Sequence, residues 1–254
     1  MNVIFKIPQE SPRYSEDSAY LTEKISLIIQ ESIEEGRNRI FIYTNLKRGL
    51  PLENINKVAG PFVEAWALEQ FETVAAEGEN KYELINVQAG KRLDPFDLIL
   101  QFKRKRDKTD YLSANVDVKA TSDDIKTSGK SPNITSFARV RSEYVEDPDY
   151  VFIILSLKYR VYGEKDALST MTNGVMEVVS SAVYDLKYIS APDIRYNPAL
   201  GTGQLQVRDI YYVELEKRTT WQFLQMLDAK FIRSKGEAAW LKLAKKHAWI
   251  KDIE

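Results

Sequence analysis

The sequence predicts an α/β protein in which a mixed central β-sheet is flanked by helices. Three stretches carry that reading. Ser18 to Glu35 repeats apolar residues at helical spacing, and Tyr111 to Ala120 alternates apolar and polar residues with period two. VFIILSL, Val151 to Leu157, is an unbroken apolar run, the pattern of a central strand covered on both faces. A helical pattern separates the last two strands. A strand, helix, strand unit of that kind makes a right-handed crossover and returns the chain in parallel, so the sheet is expected to be mixed.

In chain order, the first helix places Leu21, Ile25, Ile28, Ile29 and Ile33 on one stripe and stops before Gly36. Arg39 to Leu46 is a short β-rich run closed by Gly49-Leu50-Pro51. A second helix follows Gly60-Pro61 and continues to about Ala76. Phe62, Val63, Trp66 and Ala67 form one of its faces, while Leu68, Phe71 and Ala75 extend a row headed by Glu64. That helix is expected to be buried on two sides, with Glu64 buried too. Asp97 to Phe102 and Tyr111 to Ala120 read as a hairpin joined by KRKRDKTD. Thr121 to Asn133 reads as a loop and Ile134 to Val145 as a helix stopped by EDPD. The last third, punctuated by Gly174, Pro192, Pro198, Gly201 and Gly203, is irregular until two final helices, Thr219 to Ile232 and Glu237 to Lys246. No repeat, low-complexity tract or linker breaks the pattern, so a single domain over residues 1–254 is expected.

Composition narrows the chemistry. In 254 residues, 44% hydrophobic and 11% aromatic side chains suffice for one sizeable core. The 36 basic and 37 acidic groups leave a net charge of −1, so any surface for nucleic acid is local. Without cysteine there are no disulfides or thiolate zinc sites, and with His247 alone a histidine-rich metal site or a Ser-His-Asp triad is very hard to build. His247, in the tail KKHAWIKD, is expected at the surface. Trp66, Trp221, Trp240 and Trp249 are expected as core or interface anchors. No apolar run reaches the roughly 20 residues of a membrane span, and the N-terminus lacks a signal-peptide pattern. A cytoplasmic, bacterial protein is the expectation. Ser128-Gly129-Lys130-Ser131 echoes the end of a phosphate-binding loop, but Asp124 stands where that motif needs glycine, so no nucleotide cofactor is expected.

The chemistry concentrates in YLSANVDVKA. Alternation puts Ala114, Val116, Val118 and Ala120 on the core face and Asn115, Asp117 and Lys119 on the other. Asp97 begins the preceding strand and can lie beside them across the hairpin. Two converging carboxylates repel unless a divalent cation lies between them, and their hard oxygens suit Mg²⁺. A neighbouring lysine orients a water, helps it lose a proton, or stabilises charge developing on a phosphate. The set points to hydrolysis of a phosphodiester.

Pro95-Phe96-Asp97, followed twenty positions later by Asp117-Val118-Lys119, resembles the PD-(D/E)xK nuclease superfamily, with the proline two residues before the aspartate instead of next to it. The blocks GPFVEAWALEQF, LINVQAGKRLDPFDLILQF, NVDVKATSDDIKTSGKSPNITSFARVR, YVFIILSLKY, YNPALGTGQLQV and KRTTWQFLQMLD are similar to the HpaI restriction endonuclease family over most of the chain. The Gly-Pro-Phe-x-Glu, Asp-Val-Lys and Pro-Asn-Ile-x-Ser elements resemble the HincII enzymes more distantly. The resemblance implies a restriction-endonuclease-like core at about 59–160, with DNA-binding and structural elements at about 161–254. It implies a homodimeric type II enzyme acting on double-stranded DNA, cutting the palindrome GTTAAC at its centre to leave blunt ends and 5′-phosphates. Asp97, Asp117 and Val118 would be the magnesium ligands, Lys119 the catalytic lysine and Glu64 a supporting carboxylate. A merely paired helix acid is the other reading of Glu64.

KTSGKSPNITSFARVR supplies Lys126, Lys130, Asn133, Thr135, Ser136, Arg139 and Arg141 as DNA-binding candidates, with Lys130, Asn133 and Ser136 for base contact. Asn133 and Thr135 serve equally well as helix caps, and both readings stay open. In YNPALGTGQLQ, Gly201, Thr202, Gly203 and Gln204 are DNA-binding candidates on the resemblance; the alternative is an ordinary turn. KRKRDKTD steers phosphate or is simply a solvated turn. The first helix either forms a dimer surface or packs on its own domain. Two rival functions share this core: a structure-selective repair or junction nuclease, and a DNA-binding module without activity.

Overall fold

The apolar stripe of the first helix requires a partner layer, and the alternating strands provide it. A computed structural model describes residues 3–46, 58–91, 94–104, 111–123, 132–165, 172–199, 201–208 and 213–252. Along the chain lie β1 (Val3–Phe5), α1 (Tyr14–Glu34), β2 (Arg39–Ile42), α2 (Ala59–Ala76), β3 (Leu84–Ala89), β4 (Leu98–Lys103) and β5 (Tyr111–Ser122). Then come β6 (Asn133–Ser136), α3 (Phe137–Glu146), β7 (Phe152–Lys165), β8 (Thr172–Asp185), β9 (Ile194–Asn197), β10 (Gln204–Val207), α4 (Thr220–Lys235), α5 (Glu237–Lys246) and β11 (Ile250–Asp252). The order of the main sheet is β2-β8-β7-β5-β4-β3. Among the described strands only β5 and β7 run parallel, which sets Asp117 level with Ile154 and Lys119 level with Ser156. The expected mixed sheet, flanked by five helices, is what the chain forms.

Two cores sandwich this sheet. Val116, Val118, Ile153, Leu155 and Leu157 face α1 and α2, burying Leu21, Ile25, Ile28 and Ile29 of the first helix. Phe152 and Ile154 face α3, α4 and α5 with Phe137, Phe223 and Trp240. Every residue from Phe152 to Leu157 is therefore buried, which accounts for the unbroken apolar run. Each fully buried Leu, Ile or Phe contributes about 1.5–3 kcal/mol, so these two layers carry most of the stability.

Several expectations need correction. The segment expected as helix from Ile134 starts only at Phe137, because Asn133–Ser136 is extended and pairs with β10. Ser136, extended at φ −68° and ψ 141°, is the cap, its hydroxyl accepting from Arg139 N–H. Neither Asn133 nor Thr135 caps. In the irregular third, β8 is a 14-residue strand paired with β7; its Ser180-Ser181 stretch adjoins a register shift, and much of it is only half-buried, so its alternation is blurred. On α2, Phe71 is buried as expected, but Phe62 is exposed and Glu64 is only half-buried, since one flank of the helix meets solvent. The C-terminal tail is not loose: β11 pairs with β1, Trp249 is buried, and the His247 ring stacks on Trp249 at 5.0 Å. Trp66 and Trp240 are buried anchors, while Trp221 is half-buried against Phe5. No described helix is long and apolar enough to cross a membrane.

Candidate active site

The site forms where β4 ends too early. Asp97 immediately precedes β4; its N–H donates to Val116 O at 2.9 Å, and its Oδ2 accepts from Val118 N–H at 2.7 Å. The carboxylate thus takes the ladder position that another residue of β4 would have filled. This strand end is held from the other side by Gly90, whose N–H donates to Asp97 O at 2.6 Å. A Cβ on Gly90 would stand 2.4 Å from Phe96 O, so only glycine permits the approach. On β5, Asn115 N–H points to Val151 O beside β7, so the polar backbone groups of Val116 and Val118 point the opposite way, toward β4. The Val118 carbonyl consequently leaves β5 just where β4 has stopped, beside Asp97.

Alternation turns Asp117 and Lys119 to the other face. Asp117 is 3% exposed. Its Oδ1 accepts from Lys119 Nζ at 2.7 Å, while Oδ2 is buried with no hydrogen-bond partner among the described residues. Burial pushes the carboxyl up to about 7; Lys119 opposes that rise, and Asp97 and Glu64 add to it. Burial raises Glu64 as well, with Asp97 adding and Lys119 opposing. Helix α2, packed on β3 and β5, therefore brings Glu64 into the field of the same three groups. Asp97 and Glu64 thus join the Asp117–Lys119 pair in one electrostatic cluster.

The donor set can be tested against a divalent cation. Among the described residues no three carboxylate, imidazole or thiolate groups converge as a ready-made metal cage. Magnesium rarely needs one, being commonly held by one or two carboxylates with waters and substrate phosphate completing the shell. An orphaned buried carboxylate oxygen on Asp117, the charge of Asp97 beside it and a strand-end carbonyl of Val118 fit that demand. Lys119 offers a proton-bearing, positively charged group at the same point, suited to a phosphate oxygen.

The DNA-binding candidates separate into three groups. Strand β10 pairs with both β6 and β9, so the two segments singled out in sequence meet in one small sheet: Gln204 lies opposite Ser136, and Gln206 opposite Asn133. At its surface Gln206 Nε2 donates to Asn133 Oδ1 at 2.7 Å. Gln206 was missed in sequence, although its spacing of two from Gln204 puts both on one face of a strand. Arg139 is exposed on the first turn of α3, and Thr135 is buried behind the sheet. Gly201 and Gly203 hold φ of +51° and +83°, and Tyr196 lies where a Cβ on Gly203 would be, so this turn needs its glycines. Thr202 fixes the turn by accepting from Tyr196 OH through its carbonyl at 2.8 Å.

Arg141 does not join them. It is fully buried, paired to Asp228 through Nε at 2.7 Å and Nη2 at 2.8 Å, and its guanidinium lies 4.3 Å from the Trp249 ring centroid. A side chain so enclosed ties α3 to α4 and cannot reach a phosphate. Lys126 and Lys130 lie outside the described residues.

A six-stranded mixed sheet flanked by helices, with one carboxylate at the start of β4 and a second carboxylate and a lysine on β5 of its parallel pair, is a restriction-endonuclease-like core. Comparison with known proteins narrows that class. Residues 1–248 match the family described as type II restriction endonuclease HpaI. The chain is 52% identical over 250 residues to the type II restriction enzyme HpaI of Haemophilus parainfluenzae, covering 98% of this chain and 97% of that one. The protein belongs to the HpaI family of type II restriction endonucleases.

Proposed function

We propose that the protein is a homodimeric, Mg²⁺-dependent endonuclease that cuts both strands of GTTAAC at its centre, leaving blunt ends. The observation that carries the chemistry is the buried, unpartnered Oδ2 of Asp117 in a cluster with Asp97, Lys119 and Glu64. The 52% identity to HpaI supports the target, and a palindromic target asks for a two-fold symmetric protein. A divalent cation at Asp97, Asp117 and the Val118 carbonyl would supply Lewis acidity at the phosphoryl oxygen and make water more acidic. The chain's own groups do the rest. Lys119 holds its ammonium against the phosphate, offsetting the charge that grows as water attacks. Glu64, half-buried and raised by that burial, with Asp97 adding to the rise, orients that water and receives its proton. The water oxygen bonds to phosphorus while the bond to O3′ breaks; the 3′ oxygen takes up a proton, and the ends are 5′-phosphate and 3′-hydroxyl. Asn133, Ser136 and Gln204 on the small sheet, with the Gly201–Gly203 turn and Arg139, hold the duplex; Lys126 and Lys130 extend that set.

The test is digestion of a plasmid carrying GTTAAC, alongside a four-way junction, with Mg²⁺ and with chelator. Discrete linear fragments from the plasmid in Mg²⁺ alone support the reading. Cutting of the junction only, or metal-independent cutting, contradicts it.

A further inference from the structure

Charge is unevenly distributed in this chain. From Lys230 to His247, six lysine and arginine residues accompany one acid, Glu237, so a near-neutral protein of net charge −1 carries a local excess of +5 at its last two helices. Part of this excess lines a groove. Its floor is apolar, built from Tyr196, Phe231 and Leu243, and Lys235, Lys242 and Lys246 stand along it. All three lysines are exposed, and none is in an ion pair with another described residue. Lys242 and Lys246 stand one turn apart on α5, about 6 Å along its axis. Lys246 and Lys235 each suit the last turn of their helix, but Lys242 does not share that role and stands as a like charge one turn from Lys246, a spacing that costs the helix a little.

The groove's position identifies its occupant. At one end are Gly201 and Thr202, the turn leading into β10, which pairs with β6 across Gln204 and Ser136. Phe137 N–H at the start of α3 donates to Gly203 O at 3.0 Å, locking that turn to the β6–α3 junction. The groove thus continues outward from the small sheet. Its volume of about 280 Å³ and its open sides do not suit an enclosed small ligand. They suit a polyanion lying across it. We infer that Lys235, Lys242 and Lys246 form a contact site for the phosphodiester backbone of duplex DNA flanking the recognised sequence. The inference rests on the endonuclease reading above and adds to it a footprint longer than the hexamer.

Binding is measured by fluorescence anisotropy with calcium replacing magnesium so that the DNA stays uncut. Two duplexes are used: a long one with GTTAAC at its centre, and a short one barely longer than the hexamer. The Lys242→Ala/Lys246→Ala variant removes two lysines from each protomer of the dimer, and should bind the long duplex at least on the order of tenfold more weakly, with a salt slope of log K shallower by about four. On the short duplex it should match the wild type, and circular dichroism should show an unchanged fold. Lys81→Ala, on the opposite side of the main sheet, should bind both duplexes as the wild type does. Equal binding of the double variant and wild type to the long duplex, or an equal loss on both lengths, would overturn the inference. A wild-type protein that binds neither duplex would instead overturn the endonuclease reading beneath it.

Discussion

Asp117 occupies surroundings that a purely structural carboxylate would avoid. It is nearly inaccessible, pushed up to about 7 by burial against the pull of Lys119, and one of its oxygens has no partner among the described residues. Such orphaned groups cost roughly 1–3 kcal/mol and persist where function uses them. Glu64 is only half-buried where Asp117 is almost wholly enclosed, and its substitution should act more mildly. Glu64→Gln is expected to lower the cleavage rate roughly 10- to 100-fold, while Asp117→Asn lowers it by at least on the order of a thousandfold. Single-turnover rates on one duplex would order the two variants; equal losses would show that Glu64 is as indispensable as Asp117. The opposite case is Arg141, whose two bonds to Asp228 are wholly buried. Arg141→Ala leaves Asp228 with only the Trp240 N–H among these partners, and should cost about 3–5 kcal/mol in a urea titration. At temperatures where this variant is folded its DNA affinity should stay within a few-fold of wild type. A large loss of affinity there would return Arg141 to the DNA surface.

At the scale of elements, the strand carrying Asp117 and Lys119 was the more legible. Period-two alternation in YLSANVDVKA assigned the faces correctly because one face of β5 is packed by α1 and α2, and the opposite face carries the polar pair. The same rule failed for β8, whose middle is half-buried on both faces and shifts register, so apolar periodicity is weak there. Asn133–Ser136 read as a helix start because its cap signals are real; tertiary pairing with β10 moved the start three residues on and left Ser136 as the cap. Arg141 was misread because a sequence cannot show that Asp228, 87 residues away, will bury it. Long-range clips of this kind also join the N-terminal segment. Glu10 accepts from Lys187 Nζ at 2.5 Å and from Thr220 N–H at 2.8 Å, at the first residue of α4. Burial raises the Glu10 carboxyl, but these bonds outweigh it and hold it below the usual value of 4.5. A depressed acid stabilises the fold above its unfolded pKa, and that contribution disappears as pH falls through the folded one. Glu10→Gln should therefore melt below wild type at pH 7, and the gap should close toward pH 3. A gap that persists at acid pH would show that packing, not charge, is lost.

At the scale of the molecule, the two cores divide the work. The α1–α2 side supports the strands that present Asp97 and Asp117 and contributes Glu64, whereas the α3–α5 side supports the small sheet and its glycine turn. Asp117 and Lys119, level with Ile154 and Ser156, leave β5 on this same α3–α5 side, so the charged cluster and the small sheet share one face of the main sheet and only Glu64 comes from the other layer. Asp117 and Lys119 belong to β5 and not to the small sheet, so changing either should remove cutting without removing recognition. The most direct measurement is to sequence the ends produced from a plasmid of known sequence by the wild type, Asp117→Ala and Lys119→Ala proteins in Mg²⁺, with binding of each to the same site measured in parallel. Wild-type ends should all fall at the centre of GTTAAC on both strands, blunt and 5′-phosphorylated, while both variants bind the site and leave it intact. Ends at unrelated sequences, staggered ends, or continued cutting by either variant would contradict the account.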